Sequence, residues 1–491
     1  MLYHNIIKQI TSLNVGTMKK IIASTVILIG GISATFNASA QGNNQETECV
    51  RPANPYKMTS FDNDFSYLDQ DCYTDSQDDF LTKAGDSLKR IDLGNVIMLD
   101  LGGEYRLRYH NENNGARRRI GGDNSYFLSR FQAYANLEIN KNIRFYGEFL
   151  DASIFDEDLP PVGSDVNRHD LLNGFVDLNF DVEGTKIFVR AGRQEMTFGQ
   201  RRQIAVNNWV NVRRAFDGVR AAISRDNLTL NVFSVNPRRV LADQADPTND
   251  NRDFDGASIQ YTASDQDIET YVYRLNQDDP LRTTYKIYTI GARYKGSVQD
   301  IMLEAEGAIQ RGDFGTGDIN AEFFVVGIGH QFKDVTWKPT IWAHYDYHSG
   351  DGDPTDGVND TYFQLFPAAH AWMGLIDFTA RQNLKSIRVR ATVNPTKKLS
   401  IDTQLHKFNL AEARGAFFNA SRVNVRQDPT GAAGTDLGME FDITAKYRIL
   451  QRAEILVGYS RFWGGNFIDA TNPVVTNSNA DFLYTHLRVN F

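Results

Sequence analysis

The sequence predicts an all-β protein, a transmembrane antiparallel β-barrel of about 18 strands, on three observations. From Asn95 to the end, stretches of roughly 9 to 15 residues alternate apolar with polar side chains, which is the pattern of strands that face lipid on one side. The connections between these stretches are alternately very short and long. After an N-terminal apolar run, no further run of about 18 apolar residues occurs, so no membrane-spanning helix is predicted in the mature chain.

The N-terminus is predicted to be a secretory signal peptide, residues 1–40. Two lysines after Met18 precede the apolar run "IIASTVILIGGISATF", and the small residues 38–40 (ASA) follow it. A signal peptidase recognises this order of charge, short apolar run and small residues, whereas a membrane-spanning helix needs about 20 apolar residues. Residues 1–17 are interpreted as an over-extended start, because the basic region begins at Met18.

The charge and cysteine content of the mature chain agree with export. Removing residues 1–40 takes away three lysines and no acid, so the formal net charge goes from −9 to −12. An acidic exported protein is a poor nucleic-acid binder, and no such partner is expected. Cys49 and Cys72 are the only cysteines. They are predicted to pair in an oxidising compartment, and two free thiols are the alternative.

Two segments show the alternation residue by residue. In residues 127–139, "FLSRFQAYANLEI", Phe131, Ala133 and Leu137 fall on one face, and Arg130, Gln132 and Glu138 fall on the other. Residues 437–449, "LGMEFDITAKYRI", follow the same pattern. A soluble antiparallel sheet also alternates, but long strands with a charged polar face throughout the chain favour a closed barrel. Its polar face is predicted to line a lumen, and its apolar face to contact outer-membrane lipid.

The connections predict the topology. The short ones are interpreted as periplasmic hairpin turns, and they are 141–142, 225–227, 264–267, 296–300, 394–398 and 450–452. Long polar connections such as "NPRRVLADQADPTNDNRD" and "HSGDGDPTDGVND" are expected to face outward. The count of about 18 strands requires residues 369–383 to belong to an outer loop and not to a strand. Overall, residues 95–491 are predicted to form the barrel.

The final strand, "FLYTHLRVNF", places Leu487, Val489 and Phe491 on one face. A terminal aromatic residue on such a strand is the usual signal for the outer-membrane assembly machinery, which is therefore an expected partner through Phe491. The predicted location is the outer membrane of a Gram-negative bacterium.

Many arginines fall on the predicted lumen face. Alternation places several of them there directly, namely Arg106, Arg108, Arg130, Arg293, Arg388 and Arg390. Further arginines lie close together around the stretch "GRQEMTFGQRR", and these are Arg193, Arg201, Arg202, Arg213, Arg214 and Arg220. Rings of cationic side chains select anions in water-filled pores, and guanidinium groups bind carboxylates in a bidentate way. The set predicts an anion path. For any one arginine, an ion pair that only braces the wall is an equal alternative, because acids such as Glu104, Glu138 and Glu440 are available.

The strand "KIFVRAGRQEMTF" is irregular, because Ile187 and Val189 share a phase with Arg193 and Glu195. Either a bulge at Gly192 or a change from lipid-facing to lumen-facing positions would explain this pattern.

Two blocks carry a resemblance to a known family. Residues 189–223, "VRAGRQEMTFGQRRQIAVNNWVNVRRAFDGVRAAI", and residues 375–408, "LIDFTARQNLKSIRVRATVNPTKKLSIDTQLHKF", resemble the alginate export family of outer-membrane proteins. The similarity covers about residues 95–491. Segment 41–94 lies outside it and is interpreted as a periplasmic segment or a plug.

The resemblance implies an 18-stranded monomeric barrel that exports an anionic polysaccharide through an arginine-lined pore, with periplasmic secretion partners as an option. Matching positions give the pore residues Arg193, Glu195, Arg201, Arg202, Arg213, Arg214, Asp217 and Arg220. The polymer's identity does not follow from the resemblance.

Two other functions remain open from the sequence. A diffusion porin for uptake of small anions or sugar acids would need the same barrel and arginines. An adhesin or structural barrel would show no conductance. An enzyme is not expected, because no GxSxG, HExxH or P-loop motif occurs and the histidines are not at metal-ligand spacing. No cofactor is expected, and the acidic stretch 351–360 is interpreted as a solvated loop because it lacks the final glutamate of a calcium-binding loop.

Overall fold

The computed structural model describes residues 52, 55–70, 79–114, 122–471 and 478–491. Within these ranges, long antiparallel strands pair with their neighbours in chain order. The barrel strands β1 to β18 are Ile97–Asn113, Asn124–Ile139, Ile143–Phe155, Asn167–Val182, Thr185–Gln194, Phe216–Arg225, Leu228–Pro237, Arg252–Ala263, Gln266–Gln277, Tyr285–Val298, Ile301–Phe314, Gly317–Gln331, Thr340–His348, Leu384–Val393, Leu399–Asn409, Asp436–Leu450, Ala453–Gly464 and Ala480–Asn490.

Strand β1 also pairs with β18, from Glu104 opposite Asn490 to Asn113 opposite Asp481, and this pairing closes the sheet. The fold is therefore a closed antiparallel barrel of 18 strands, and the prediction of fold class is confirmed. Residues 369–383 lie within the connection from β13 to β14, where the only helical element is the 3-10 turn Ala369–Ala371. The condition on which the strand count depended is met.

The strand faces alternate as predicted, but some inward positions carry apolar residues. On β16, Glu440 and Asp442 are buried inside the barrel while Met439 is exposed on the outside. On β12, Val326 and Ile328 are about half exposed, as lipid-facing residues should be, but the inward neighbours are also apolar. The lumen thus contains apolar patches as well as charges.

The connections follow the predicted alternation of short and long only in part. Short turns close the expected periplasmic hairpins, and Asn140 and Lys141 take positive φ angles of 54° and 60° in the turn from β2 to β3. Such angles suit a two-residue hairpin turn. The outer connection from β11 to β12 is only residues 315–316. Long and short connections therefore do not alternate without exception.

Before the barrel, the described residues form short elements. These are the 3-10 turns Ser60–Asp62 and Ser66–Asp69, helix α1 (Phe80–Asp86), and a short strand, Ile91–Asp92, that pairs with β1. None of the helices in the described ranges is long and apolar enough to span a membrane.

Two predictions lie outside the described residues, namely the signal peptide 1–40 and the pairing of Cys49 with Cys72. Phe491 exchanges two backbone hydrogen bonds with Gly103 and stacks on Phe131 at a ring distance of 6.0 Å. Its role as an assembly signal stays a prediction.

The alternation makes a direct prediction for β16. Ile443→Arg should cost about 2–4 kcal/mol of folding free energy near mid-membrane, because Ile443 faces lipid and a charge there must leave water. Thr444→Arg, one residue along on the lumen side, should be tolerated. Urea titrations of folding into lipid vesicles would measure both, and equal losses would contradict the assignment of the two faces.

Candidate functional site

Two connections fold into the lumen. Inward loop 1 (residues 195–215) joins β5 to β6, and inward loop 2 (residues 361–383) is the second part of the connection from β13 to β14. Inward-facing aromatic residues of the wall give both loops an apolar surface to pack on. Phe366 of inward loop 2 contacts the rings of Phe216 and Phe254, with centroid distances of 5.1 and 4.9 Å.

The two loops bind each other through their backbones. The amide of Ala205 donates to the carbonyl of Phe366 at 2.8 Å, and the amide of Phe366 donates to Gln203 at 2.8 Å. The amide of Ala368 donates to the carbonyl of Arg201 at 3.0 Å. This pairing resembles a short strand ladder, and it holds both loops together inside the barrel.

Three of the predicted pore arginines hold inward loop 1 against β1 and β2. Arg106 and Arg108 each donate at 2.8 Å to a loop carbonyl, those of Asn208 and Trp209. Arg130 donates to the Asn208 side chain at 2.7 Å. These carbonyls belong to irregular backbone and, among the described residues, have no neighbouring strand that could donate a hydrogen bond to them. The guanidinium groups act as the donors instead.

Arg202 attaches the same loop to the opposite wall. Its guanidinium forms ion pairs with Glu304 and Glu306 on β11, and it stacks over the Trp372 ring of inward loop 2 at 3.8 Å. In a barrel of 18 strands, β11 lies across the lumen from β1. Inward loop 1 therefore crosses the lumen from wall to wall and forms a constriction.

Arg213 is the most connected residue of inward loop 1. It donates to both oxygens of Glu195, at 2.6 and 3.1 Å, and to the side chain of Asn208 at 2.8 Å. It also donates to the carbonyl of Met58, a residue that precedes the barrel, at 2.8 Å. Arg213 and Glu195 are both buried, and their ion pair joins the start of the loop to its end.

Arg388 on β14 supports inward loop 2. It donates to the carbonyl of Ala371 at 3.2 Å, contacts the His344 ring nitrogen at 3.1 Å, and lies 4.8 Å from the centre of the Trp372 ring.

Other predicted arginines are paired with acids on neighbouring strands. Arg293 binds Glu269 at 2.6 Å and Asp267 at 2.7 Å, and Arg390 binds Asp402 at 2.7 Å. Such pairs brace the wall, which was the alternative for any single arginine.

Arg193 and Asp217 form a pair away from the lumen face. Pairing between β5 and β6 continues through Gly192 without a register shift, so Arg193 keeps the outward phase of Val189. Arg193 binds both oxygens of Asp217, at 2.7 and 3.1 Å, and the carbonyl of Asp246 at 2.9 Å. Neither a bulge nor a change of face therefore occurs at Gly192. The ion pair of Arg193 and Asp217 connects the outer ends of β5 and β6 to the connection from β7 to β8.

An outer chamber of about 380 Å³ lies beside the constriction. Arg214, Arg252 and Arg422 line it, and none of the three forms an ion pair with a carboxylate in the part of the chain that the structure describes. Arg214 donates only to backbone carbonyls, including that of Phe366 at 2.5 Å. Burial and the neighbouring charges of Arg422 and Arg252 lower the pKa of Arg214 to about 9. These three arginines therefore carry positive charge at neutral pH without a carboxylate in ion-pair contact among the described residues.

An inner chamber of about 640 Å³ lies on the periplasmic side. Arg144, Arg190 and Arg220 line it, together with residues that precede the barrel. Arg190 and Arg144 bind Asp177, at 2.7 and 2.5 Å. Arg220 has no carboxylate within ion-pair distance among the described residues, and donates to the amide oxygen of Asn231 at 3.1 Å.

Arg201 is likewise without a carboxylate partner in the described ranges, and contacts the sulfur of Met58 at 3.7 Å. The predicted arginines thus fall into three groups: those that bind the inward loops, those that brace strands, and Arg201 and Arg220, which do neither. Arg214 belongs to the first group, and its contacts are with carbonyls and not with an acid in the described ranges. Four further arginines that line the chambers were not predicted, and these are Arg252, Arg422, Arg144 and Arg190. The phase of "KIFVRAG" places Arg190 inward, so alternation was sufficient to find it.

The described residues include no cluster of potential ligands for a metal ion.

Comparison with known proteins agrees with this geometry. The family model described as "Alginate export" matches residues 97–480. No curated protein matches the sequence. Among solved structures, OccAB1 of Acinetobacter baumannii is similar with a TM-score of 0.55 at 13% identity, over 82% of this chain and 99% of that one. OpdO of Pseudomonas aeruginosa gives a TM-score of 0.52 at 14% identity, over 80% and 97% of the two chains.

A third solved structure is OccK2 (OpdF) of Pseudomonas aeruginosa in complex with glucuronate, with a TM-score of 0.51 at 12% identity, over 80% of this chain and 98% of that one. At such low identity these structures establish the fold alone, whereas the family match covers most of the chain. The chain therefore belongs to the alginate export family, and it forms a β-barrel channel in the outer membrane of a Gram-negative bacterium.

Proposed function

We propose that this channel passes an anionic polysaccharide or a related acidic sugar, in the direction of export, without changing it chemically. The observation that carries the proposal is the set of arginines without carboxylate partners in the outer chamber, Arg214, Arg252 and Arg422. A single chain closes the barrel, so the proposed working unit is a monomer.

The chemistry of the two chambers supports an acidic saccharide. A sugar carboxylate that leaves water needs charge-assisted hydrogen bonds, and a guanidinium group supplies two in a fixed geometry. Arginines that already bind an acid offer little additional attraction, because their charge is compensated. The proposal therefore depends on Arg214 and its two neighbours, with Arg201 and Arg220 as further contacts along the path.

Aromatic rings next to these arginines also fit a saccharide. Arg252 lies over the Phe366 ring at 5.2 Å, and Arg422 lies over the Phe363 ring at 4.9 Å. Apolar ring faces beside guanidinium groups suit a pyranose, which has both hydrophobic C–H faces and a charged substituent.

The family match favours export, and the glucuronate bound by OccK2 (OpdF) supports uptake of small sugar acids as the second candidate. The two differ in the size of the ligand. Export of a polymer predicts that acidic oligosaccharides block the channel more strongly than the corresponding monosaccharide, whereas an uptake porin should conduct the monosaccharide readily.

The test is a triple variant, Arg214→Gln, Arg252→Gln and Arg422→Gln, studied in planar bilayers under a salt gradient. The reversal potential should shift away from anion selectivity, and block by an acidic oligosaccharide should weaken more at low salt than at high salt. Exposed charges are screened over about 10 Å at 0.1 M salt, so the arginine contribution should already be reduced at high salt in the parent channel.

The matched control is Arg193→Gln with Asp217→Asn, which removes an arginine and its paired acid outside the lumen. It should leave selectivity and block unchanged. A triple variant that folds and keeps the parent's selectivity would show that these arginines do not attract the substrate, and the proposal would be rejected.

A further inference from the structure

We propose that residues 55–70, the plug segment, occupy the inner part of the conduction path and must be displaced for a saccharide to pass. The plug segment precedes the barrel in sequence, yet its side chains and carbonyls bind lumen-facing residues of β2 to β5 and inward loop 1. The occlusion itself does not depend on which solute the channel carries. The plug segment also carries a carboxylate that competes with the carboxylate of the substrate. This second part of the proposal rests on the function proposed above.

The centre of the plug segment is Phe61, which is buried inside the barrel. Its ring makes edge contacts with Phe175 at 5.4 Å and with Tyr146 at 5.8 Å. The guanidinium of Arg190 lies over the same ring at 4.4 Å. Ser60, the preceding residue, donates to the carboxylate of Glu148 at 2.9 Å. These contacts place the plug segment against the wall of the inner chamber.

One arginine of the wall and one of inward loop 1 bind the plug segment through neutral groups. Arg144 donates to the carbonyl of Phe61 at 2.8 Å, and Arg213 donates to the carbonyl of Met58 at 2.8 Å. A carboxylate attracts a guanidinium by its charge and can accept two of its N–H bonds, whereas a backbone carbonyl carries no net charge. A neutral carbonyl is therefore a partner that an anionic ligand can replace, and binding of the plug segment can be reversible.

Asp62 gives the plug segment one acidic group in the inner chamber. It is exposed to the chamber and attracts the charges of Arg190 and Arg220. Arg220 lacks a carboxylate partner within ion-pair distance, so Asp62 stands near the position where a substrate carboxylate would compensate this charge. The plug segment thereby acts as an internal competitor for the inner arginines.

The end of the plug segment is attached by a more exposed pair. Asp69 binds Arg90 at 2.7 Å, and Arg90 also lies 3.3 Å from Glu138. Partly exposed ion pairs contribute little stability, so this pair costs little to break. Arg90 is followed by the short strand paired with β1, which keeps the base of the segment at the barrel.

The occlusion is tested by cross-linking in the full chain, with Cys49 and Cys72 replaced by serine. Ser60→Cys and Glu148→Cys are joined by a short bifunctional thiol reagent, which locks the plug segment to the wall. Conductance in potassium chloride, without saccharide, should fall to a small residual value and recover when a cleavable linker is reduced. The control is Ser224→Cys with Thr229→Cys, two neighbours on the wall of the same chamber, whose cross-link should leave conductance unchanged.

Two further variants separate the parts of the proposal. Phe61→Ala should raise the conductance or open time several-fold, because it removes the ring contacts and leaves the wall intact. Asp62→Asn should strengthen block by an acidic oligosaccharide, measured relative to the potassium chloride conductance of the same variant. Unchanged conductance after locking at Ser60 would overturn the plug even if the channel is anion-selective. Unchanged block in Asp62→Asn would overturn only the competition.

Discussion

Arg213→Met is expected to lower the free energy of unfolding by about 3–5 kcal/mol, because it leaves the carboxylate of Glu195 buried without its cation. Arg213 donates to both oxygens of that carboxylate and to Asn208 and Met58. The loss should also release inward loop 1 from its two ends. Urea unfolding in lipid vesicles measures the stability, and protease sensitivity of the loop in the folded barrel measures the release.

A double variant separates the charge from the packing. Arg213→Met with Glu195→Gln removes both charges, so it should recover much of the lost stability. Arg390→Met is the matched control, because Arg390 pairs with Asp402 while its side chain is 40% exposed. Exposed ion pairs contribute roughly 0–1 kcal/mol. If Arg213→Met were as stable as the parent, the pair with Glu195 would not hold the loop.

The barrel could be predicted because its signals are local in sequence. Consecutive residues of a strand such as β16 alternate between its two faces. A turn such as 140–142 is recognised from two or three residues. The count of 18 strands was conditional on residues 369–383 lying in a loop, and the structure meets this condition. The short connection at 315–316 escaped the pattern, because nothing requires an outer loop to be long.

The constriction could not be predicted in the same way. Whether a long outer connection extends into solvent or folds inward depends on contacts between residues far apart in sequence. Phe366 packs on Phe216 and Phe254, and these wall residues point into a lumen that the polar-inside rule expects to be hydrophilic. Apolar residues at inward positions of β6 and β8 were a usable signal for an inward loop.

The role of each arginine depended on its partner and not only on its face. Alternation placed Arg293 in the lumen, but the register of β9 against β10 sets Glu269 opposite it and turns it into a brace. Arg214 lies in irregular backbone, where no periodicity applies, and its neighbours Arg252 and Arg422 come from two other parts of the chain. The sequence predicts how many arginines the channel contains, whereas the fold decides which of them remain without an acid.

The second large effect is expected from opening the contact between the two inward loops. Phe366→Pro with Ala368→Pro removes both amides that inward loop 2 donates to inward loop 1, those bound to the carbonyls of Gln203 and Arg201. Proline has no N–H group, so neither bond can form again with the same residue. An 18-stranded barrel without a constriction encloses a water-filled lumen. Single-channel conductance should therefore rise in those periods when the plug segment is displaced, with loss of selectivity between anions and cations.

Ala369→Pro supplies the control at the adjacent residue. Ala369 begins the 3-10 turn, its amide makes no backbone hydrogen bond within the described residues, and proline is accepted at the first position of a helical turn. This variant should keep the parent's conductance. Because Phe366→Pro also removes a ring from the apolar cluster, Ala368→Pro alone separates the two causes, and it should open the channel in part. If the double variant folded normally but conducted no better than Ala369→Pro, the backbone contact between the loops would not be the constriction, and the plug segment would be the remaining obstacle to flow.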